Sequence, residues 1–199
     1  MNRSIAIALA LTGAAAITVV SAPSAFAADP AQGTVDSLHG GLLALMKSGG
    51  TQASRTRAIA PVIDRTFDLP LMARLSVGPA WTTIPAPQQA SLIQAFRNLT
   101  VAQYAKNFNS YAGETFAAVG VETRGGDKLV RTTLNAGRTR ETLNYRLRQS
   151  GGQWKIIDVY YRNAISQLAT RRADFDRVMK TGGATALIGH LNRLTARAG

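Results

Sequence analysis

Few residues of this chain have the types and spacing that enzymatic chemistry requires. It contains no cysteine, so neither disulfides nor a thiolate nucleophile is available. The two histidines, His39 and His190, lie far apart with no carboxylate at metal-ligand spacing, and each is interpreted as a residue on a helix surface. The G-x-S-x-G elbow, the phosphate loop and the dinucleotide fingerprint are missing. We therefore expect neither a metal nor a cofactor.

Carboxylate pairs that could act as general acid and base are also poorly placed. Asp174 and Asp176 are two residues apart on a predicted helix, so they face in different directions. Asp68 is better interpreted as a helix N-cap than as part of a pair. One enzymatic alternative stays open. Small isomerase-like and dehydratase-like folds also place helices on a curved antiparallel sheet, and in such a fold Asp158 and Tyr161 would be the catalytic candidates.

The first 27 residues predict a cleaved export signal. Arg3 provides a positive start, residues 5–20 are apolar and rich in alanine, and Ala25 and Ala27 are small residues where a signal peptidase reads the chain. The apolar stretch is shorter than the roughly 20 residues that span a bilayer. We expect residues 28–199 to form one domain that is exported to the periplasm.

The chain is strongly basic, with a net charge of +12. Loss of Arg3 with the signal would leave +11. Such a charge usually favours nucleic acid as a partner, but an exported protein meets phospholipid headgroups and membrane surfaces instead. We expect no nucleic-acid partner. Because the basic residues are scattered, a solvated surface that keeps the protein soluble explains them equally well.

The hydrophobic period changes near residue 112, from helical to alternating. The first part predicts a helix ended by Gly49 and Gly50, a second from Thr51 to about Phe67, a third over residues 69–77 capped by Asp68, and a long fourth over about 86–111.

From residue 114 the alternation predicts strands joined by short links that contain glycine, as hairpins require. The strands are expected over residues 114–124, 128–135, 139–149 and 153–162. A helix follows over about 164–181, breaks at Gly182 and Gly183, and ends near residue 195. This order predicts an α+β fold in which helices cover a curved four-stranded antiparallel sheet. A bent sheet of this kind leaves room for an apolar cavity.

Several blocks of the chain resemble the MlaC (toluene-tolerance) family. Residues 67–81 (FDLPLMARLSVGPAW) are similar to its F-D-hydrophobic…M-x-R…G-x-x-W block, and residues 152–159 (GQWKIIDV) to its G-x-W-K-V-x-D-V block. The long helix and residues 182–188 (GGATALI) extend the resemblance over nearly the whole predicted mature chain. Residues 158–166 (DVYYRNAIS) look closer to the hopanoid-associated HpnM branch, with Asn163 where that branch has glycine. Asparagine is the next best residue for a left-handed backbone, so the turn can persist.

The resemblance implies a fold that encloses an apolar cavity for lipid acyl chains. It further implies a carrier, not an enzyme, that moves a phospholipid or a hopanoid between an inner-membrane ABC-type lipid transporter and an outer-membrane lipoprotein complex. A carrier needs no catalytic group. It needs an apolar interior, since exposing the about 30 methylenes of a diacyl lipid to water costs on the order of 20–25 kcal/mol.

The predicted lipid-binding residues are apolar or aromatic, and most lie in or beside the matching blocks. They are Leu71, Met72, Leu75, Trp81, Phe96, Tyr104, Phe108, Tyr145, Val159, Tyr161 and Ile165. Periodicity alone does not distinguish a filled core from a hollow one. A periplasmic adaptor that binds protein and no lipid therefore stays open as a second alternative.

Overall fold

Five α-helices pack on a sheet in the part of the chain that the structure, a computed structural model, describes: residues 29–162 and 165–199. The predicted export signal over residues 1–27 and the turn residue Asn163 lie outside these described residues. The helices are α1 (Pro30–Ser48), α2 (Gln52–Thr66), α3 (Leu69–Val77), α4 (Ala86–Asn107) and α5 (Gln167–Ala198), with a 3₁₀ segment over Gly78–Thr83 after α3. The strands are β1 (Thr115–Arg124), β2 (Asp127–Ala136), β3 (Thr139–Ser150), β4 (Gln153–Tyr161) and β5 (Ile165–Ser166).

Side-chain caps begin α2 and α3 where the sequence predicts them. The Thr51 hydroxyl accepts a hydrogen bond from the Ser54 amide, and the Asp68 carboxylate accepts one from the Leu71 amide at 3.0 Å. The Asp68 amide also donates to the Ile156 carbonyl at 2.9 Å. This bond joins the start of α3 to β4 and fixes α3 against the sheet.

The predicted end of α4 at Tyr111 is wrong, because the helix stops at Asn107. The backbone of Phe108 is not helical, with φ −112° and ψ 63°, although its amide still donates to the Tyr104 carbonyl. The Phe108 ring stacks on Tyr104 and lies beside Phe116. These ring contacts turn the chain from α4 toward β1.

The predicted break in the last helix is confirmed, although the helix ends at Ala198 and not near residue 195. Gly182 and Gly183 have non-helical backbone angles inside α5. Across this bend His190 Nε2 lies 3.0 Å from Asp174 Oδ2. This histidine therefore has a carboxylate partner that is 16 residues away in the sequence.

All strands pair antiparallel with their neighbours in the chain, in the order β1-β2-β3-β4-β5. The α+β class is confirmed, but the predicted number of four strands is wrong. The fifth strand has only two residues, pairing Tyr160 with Ser166 and Tyr161 with Ile165, and two residues are too few to produce an alternation that sequence reading detects. Register shifts between Ala118 and Gly120 and between Arg146 and Leu147 mark bulges.

The core lies between the helices and one face of the sheet. Leu38 and Leu42 of α1 and Val130 and Leu147 of the sheet are fully buried in it. The expectation that His39 is a helix-surface residue is wrong: its side chain is 5% exposed, stacks on Phe116 and lies 3.0 Å from the Tyr145 hydroxyl. Within the described ranges, no helix combines the length and the apolar character that crossing a membrane requires.

Candidate functional site

A pocket of about 340 Å³ lies between the sheet and helices α3, α4 and α5. Its volume is within the range of small-molecule sites. Strands β2 to β4 form one wall and the helices form the other. The residues around it are Phe67, Met72, Thr100, Gln103, Tyr104, Asn107, Phe108, Leu134, Glu141, Leu143, Tyr145, Val159, Tyr161, Gln167, Leu168 and Arg171.

The sheet wall is apolar because alternate side chains of β3 and β4 face the helices. Leu143 pairs with Tyr161, and Tyr145 pairs with Val159 in the antiparallel register. Side chains that are paired in this way lie on the same face of the sheet. Two neighbouring cross-strand pairs therefore form a continuous apolar surface on this wall.

The helix wall is aromatic. Tyr104 and Phe108, four residues apart, have ring centroids 5.7 Å apart and stack, and Phe67 meets Tyr104 edge to face at 5.5 Å. Burial raises the pKa of the Tyr104 hydroxyl, so that tyrosine is neutral at physiological pH; the nearby Arg171 acts in the opposite direction. The wall consequently presents uncharged rings to the pocket.

Among the described residues, Arg171 is the one cation that lines this pocket. Its guanidinium donates to the Thr100 hydroxyl at 3.2 Å and to the Gln103 side-chain oxygen at 2.8 Å, and it lies 4.7 Å from the centre of the Phe96 ring. Burial lowers the pKa of this guanidinium, while Tyr104 and Asp158 act in the opposite direction. The arrangement holds a positive charge in a partly desolvated position.

Asp158, a catalytic candidate of the enzymatic alternative, forms hydrogen bonds that hold neighbouring elements together. One of its oxygens accepts from the Val159 and Leu168 amides at 2.8 and 3.0 Å, and the other accepts from the Ser166 hydroxyl at 2.6 Å. The carboxylate is buried. It therefore joins the end of β4 to the first turn of α5, which positions Leu168 and Arg171 beside the pocket.

The structure brings six of the eleven predicted lipid-binding residues together around the pocket. They are Met72, Tyr104, Phe108, Tyr145, Val159 and Tyr161. Whether they contact lipid stays a prediction.

The other five predicted residues lie outside the pocket lining. Phe96 is fully buried in the core against Phe175, and Ile165 on β5 is 49% exposed. Leu71, Leu75 and Trp81 are half-buried in α3 and the 3₁₀ segment, and Leu71 and Trp81 pack against the core.

Sequence reasoning missed ten lining residues, six of them polar. Leu143 could have been predicted from the sequence, because it shares the apolar face of β3 with Tyr145. Arg171 could not have been predicted, since the adjacent pair Arg171 and Arg172 is typical of a solvated helix face. Only the packing of α5 against α4 brings Arg171 to the pocket, where it meets Thr100 and Gln103.

The structure is a helix-covered antiparallel sheet with a pocket between its layers. Among solved structures, this fold is similar to that of a phospholipid-binding protein from Ralstonia solanacearum, which was determined in complex with a phospholipid. The TM-score is 0.76 and the sequence identity 23%, over 84% of this chain and 98% of that chain. The likeness shows the fold that the two proteins share.

The family follows from the sequence. Residues 37–193 match the family model described as MlaC protein. This match covers well over half of the chain, and the chain belongs to the MlaC protein family. A search of curated proteins found no match.

Proposed function

We propose that this protein is a periplasmic carrier that holds the acyl chains of a lipid in the pocket between its sheet and helices. The observation that carries the proposal is the apolar wall of the pocket, formed by the Leu143–Tyr161 and Tyr145–Val159 pairs opposite the Tyr104 and Phe108 rings. The mature chain, residues 28–199, acts as one lipid-binding domain with no cofactor other than its cargo.

Membership of the MlaC family and the phospholipid-bound structural neighbour support phospholipid binding and transport. They also point to a binding protein and not to an enzyme. The chemistry agrees, because transfer of a lipid through water is opposed by exposure of its apolar chains, at about 0.8 kcal/mol per methylene. A protein lowers this barrier by replacing the bilayer with an apolar interior, and no bond has to be made or broken.

The pocket is proposed to be part of the enclosed apolar cavity that the resemblance implies. With lipid bound, the carrier shuttles its cargo between an inner-membrane ABC-type transporter and an outer-membrane lipoprotein complex, and so contributes to outer-membrane lipid asymmetry. The resemblance of residues 158–166 to the HpnM branch adds a hopanoid to phospholipid as a candidate cargo.

The test is organic extraction of the purified protein followed by mass spectrometry, with lipid and protein quantified together. We expect stoichiometric lipid in the wild type and little in Val159→Asp, because Val159 lines the pocket and a carboxylate there is costly to desolvate. Val119→Asp is the matched control: Val119 is 65% exposed on β1, so the same substitution should leave the lipid in place.

Val159→Trp provides a second variant that keeps the site apolar but fills it, and it should also lose lipid. Far-UV circular dichroism establishes that each variant is folded. Wild-type protein free of lipid would support an adaptor without cargo and would overturn the proposal. Full lipid content in folded Val159→Asp and Val159→Trp would show that the acyl chains lie elsewhere.

A further inference from the structure

Arg171 is a charged residue in a pocket whose walls are largely apolar. A guanidinium has five N–H donors, and Arg171 uses them for two hydrogen bonds, one to Thr100 and one to Gln103. Both of these partners are neutral. Within the described part of the chain, Arg171 has no carboxylate at ion-pair distance, and its remaining donors have no acceptor.

The carboxylates of Glu141 and Asp158, near the pocket, already accept hydrogen bonds from groups other than Arg171. Glu141 lines the same pocket, but both of its oxygens accept from Arg162, each at 2.9 Å. Asp158 acts on Arg171 electrostatically, yet its oxygens hold the start of α5. A partly desolvated cation with neutral partners is expensive unless an anion from outside the chain completes the site.

The pocket lining combines polar and apolar residues. Gln167, which is exposed, and Arg171, which is half-buried, lie on the first turns of α5. Phe67 and Tyr145, both buried, belong to the apolar part of the lining. An amphiphile whose chains pack against the apolar part can place its polar group beside Arg171.

Gln103 adds a second donor beside Arg171. Its side-chain oxygen accepts from Arg171, which leaves its NH₂ group without a hydrogen-bond partner in the described residues. A planar guanidinium with an adjacent amide NH₂ group suits a tetrahedral oxyanion, because a phosphate offers several acceptor oxygens to a fork of donors.

We infer that Arg171 binds the phosphate of the lipid headgroup in the pocket, so that the protein selects phosphate-bearing lipids over neutral lipids with the same chains. The inference rests on the proposed function and extends it. It favours a phospholipid over a neutral hopanoid as the cargo.

The experiment compares two lipids that differ only in the phosphate-bearing headgroup. Delipidated protein is loaded from detergent micelles with either palmitoyl-oleoyl phosphatidylethanolamine or palmitoyl-oleoyl glycerol, and bound lipid is quantified by native mass spectrometry. In Arg171→Gln we expect phosphatidylethanolamine affinity to fall by about ten-fold or more, as for loss of a charge-assisted hydrogen bond, while diacylglycerol affinity is unchanged. Arg171→Lys keeps the charge and should retain part of the preference.

Arg172→Gln is the matched control, because this neighbouring arginine is exposed and lies outside the pocket lining. Its lipid preference should equal that of the wild type. Equal loss of both lipids in folded Arg171→Gln would indicate a purely structural role and overturn the inference, and so would an unchanged preference. Wild type that binds neither lipid would overturn the proposed function itself, which separates the two failures.

Titration of the delipidated wild type with sodium phosphate distinguishes a lipid headgroup from a free anion. We expect weak binding, since inorganic phosphate does not bury acyl chains. Arg171-dependent binding of inorganic phosphate as tight as that of the lipid would contradict a headgroup as the ligand.

Discussion

At the scale of single residues, the pair of His39 and Tyr145 shows how the sheet wall of the pocket is held in place. Tyr145 lines the pocket with its ring and meets His39 of α1 through its hydroxyl, at 3.0 Å. Burial lowers the pKa of the imidazole to about 4, so His39 is neutral at pH 7. A neutral imidazole can share one hydrogen bond with a phenol, which satisfies two polar groups in the core.

This pair predicts a loss of stability in mild acid. The pKa of His39 is about 4 in the folded protein and about 6.5 in the unfolded chain, so between these values the unfolded chain binds a proton that the folded protein does not. The free energy of unfolding should therefore fall as the pH decreases from about 6.5 to about 4, and this contribution should then level off. Between pH 7 and pH 5 the wild type should lose about 2 kcal/mol more than His39→Gln, measured by urea denaturation. The same loss in both proteins would contradict the assignment.

At the scale of elements, the bend in α5 separates a segment that lines the pocket from a segment that packs in the core. The segment before Gly182 carries Leu168 and Arg171 to the pocket, and the segment after Gly183 buries Leu187 and Leu191 in the core. Gly183 has φ 64° and ψ −160°, a region open essentially to glycine alone. The bend allows one helix to contact both places.

Two glycine substitutions should therefore change stability in opposite directions. Gly183→Ala is expected to lower the free energy of unfolding by about 1–3 kcal/mol, because alanine is strained at that φ and ψ although a Cβ would meet nothing within 4 Å. Gly40→Ala, the control, should raise it by about 0.5–1 kcal/mol, since Gly40 lies inside α1, where a Cβ also meets nothing. Thermal and urea denaturation measure both effects. Stabilisation by Gly183→Ala would mean that the bend is not required.

Elements whose determinants are local could be predicted from the sequence. The caps at Thr51 and Asp68, the break at Gly182 and the four long strands depend on residues close together in the chain. The two-residue β5 and the early end of α4 at Asn107 could not be predicted, because pairing with β4 and stacking of Phe108 on Tyr104 define them.

At the scale of the whole molecule, sequence reading could not separate the core from the pocket. Phe96 and Phe108 belong to the same apolar series on the predicted long helix. In the structure, Phe175 of α5 covers Phe96, whereas Phe108 faces the pocket. This difference depends on how α5 crosses α4, which no local pattern encodes, and the same crossing brings Arg171 to the pocket.

Cargo should stabilise the whole fold, because a ligand that binds only the folded state adds to the free energy of unfolding. We expect a lower midpoint of thermal unfolding after delipidation of the wild type, and recovery when phosphatidylethanolamine is added back. Differential scanning calorimetry measures the shift. Val159→Asp, which should not retain lipid, serves as the control and should show the same midpoint before and after the treatment. An identical midpoint in loaded and delipidated wild type would contradict the coupling.

The strand order has a consequence for how the molecule is assembled. Because every strand pairs with its chain neighbour, the meander can form by successive short-range closures, which cost little loop entropy. The binding site is different: it draws Phe67 and Met72 from before the meander and Leu168 and Arg171 from after it. We expect the binding site to form last, when the final helix packs against the rest of the fold. Only a chain that has folded over its whole length can then bind its cargo.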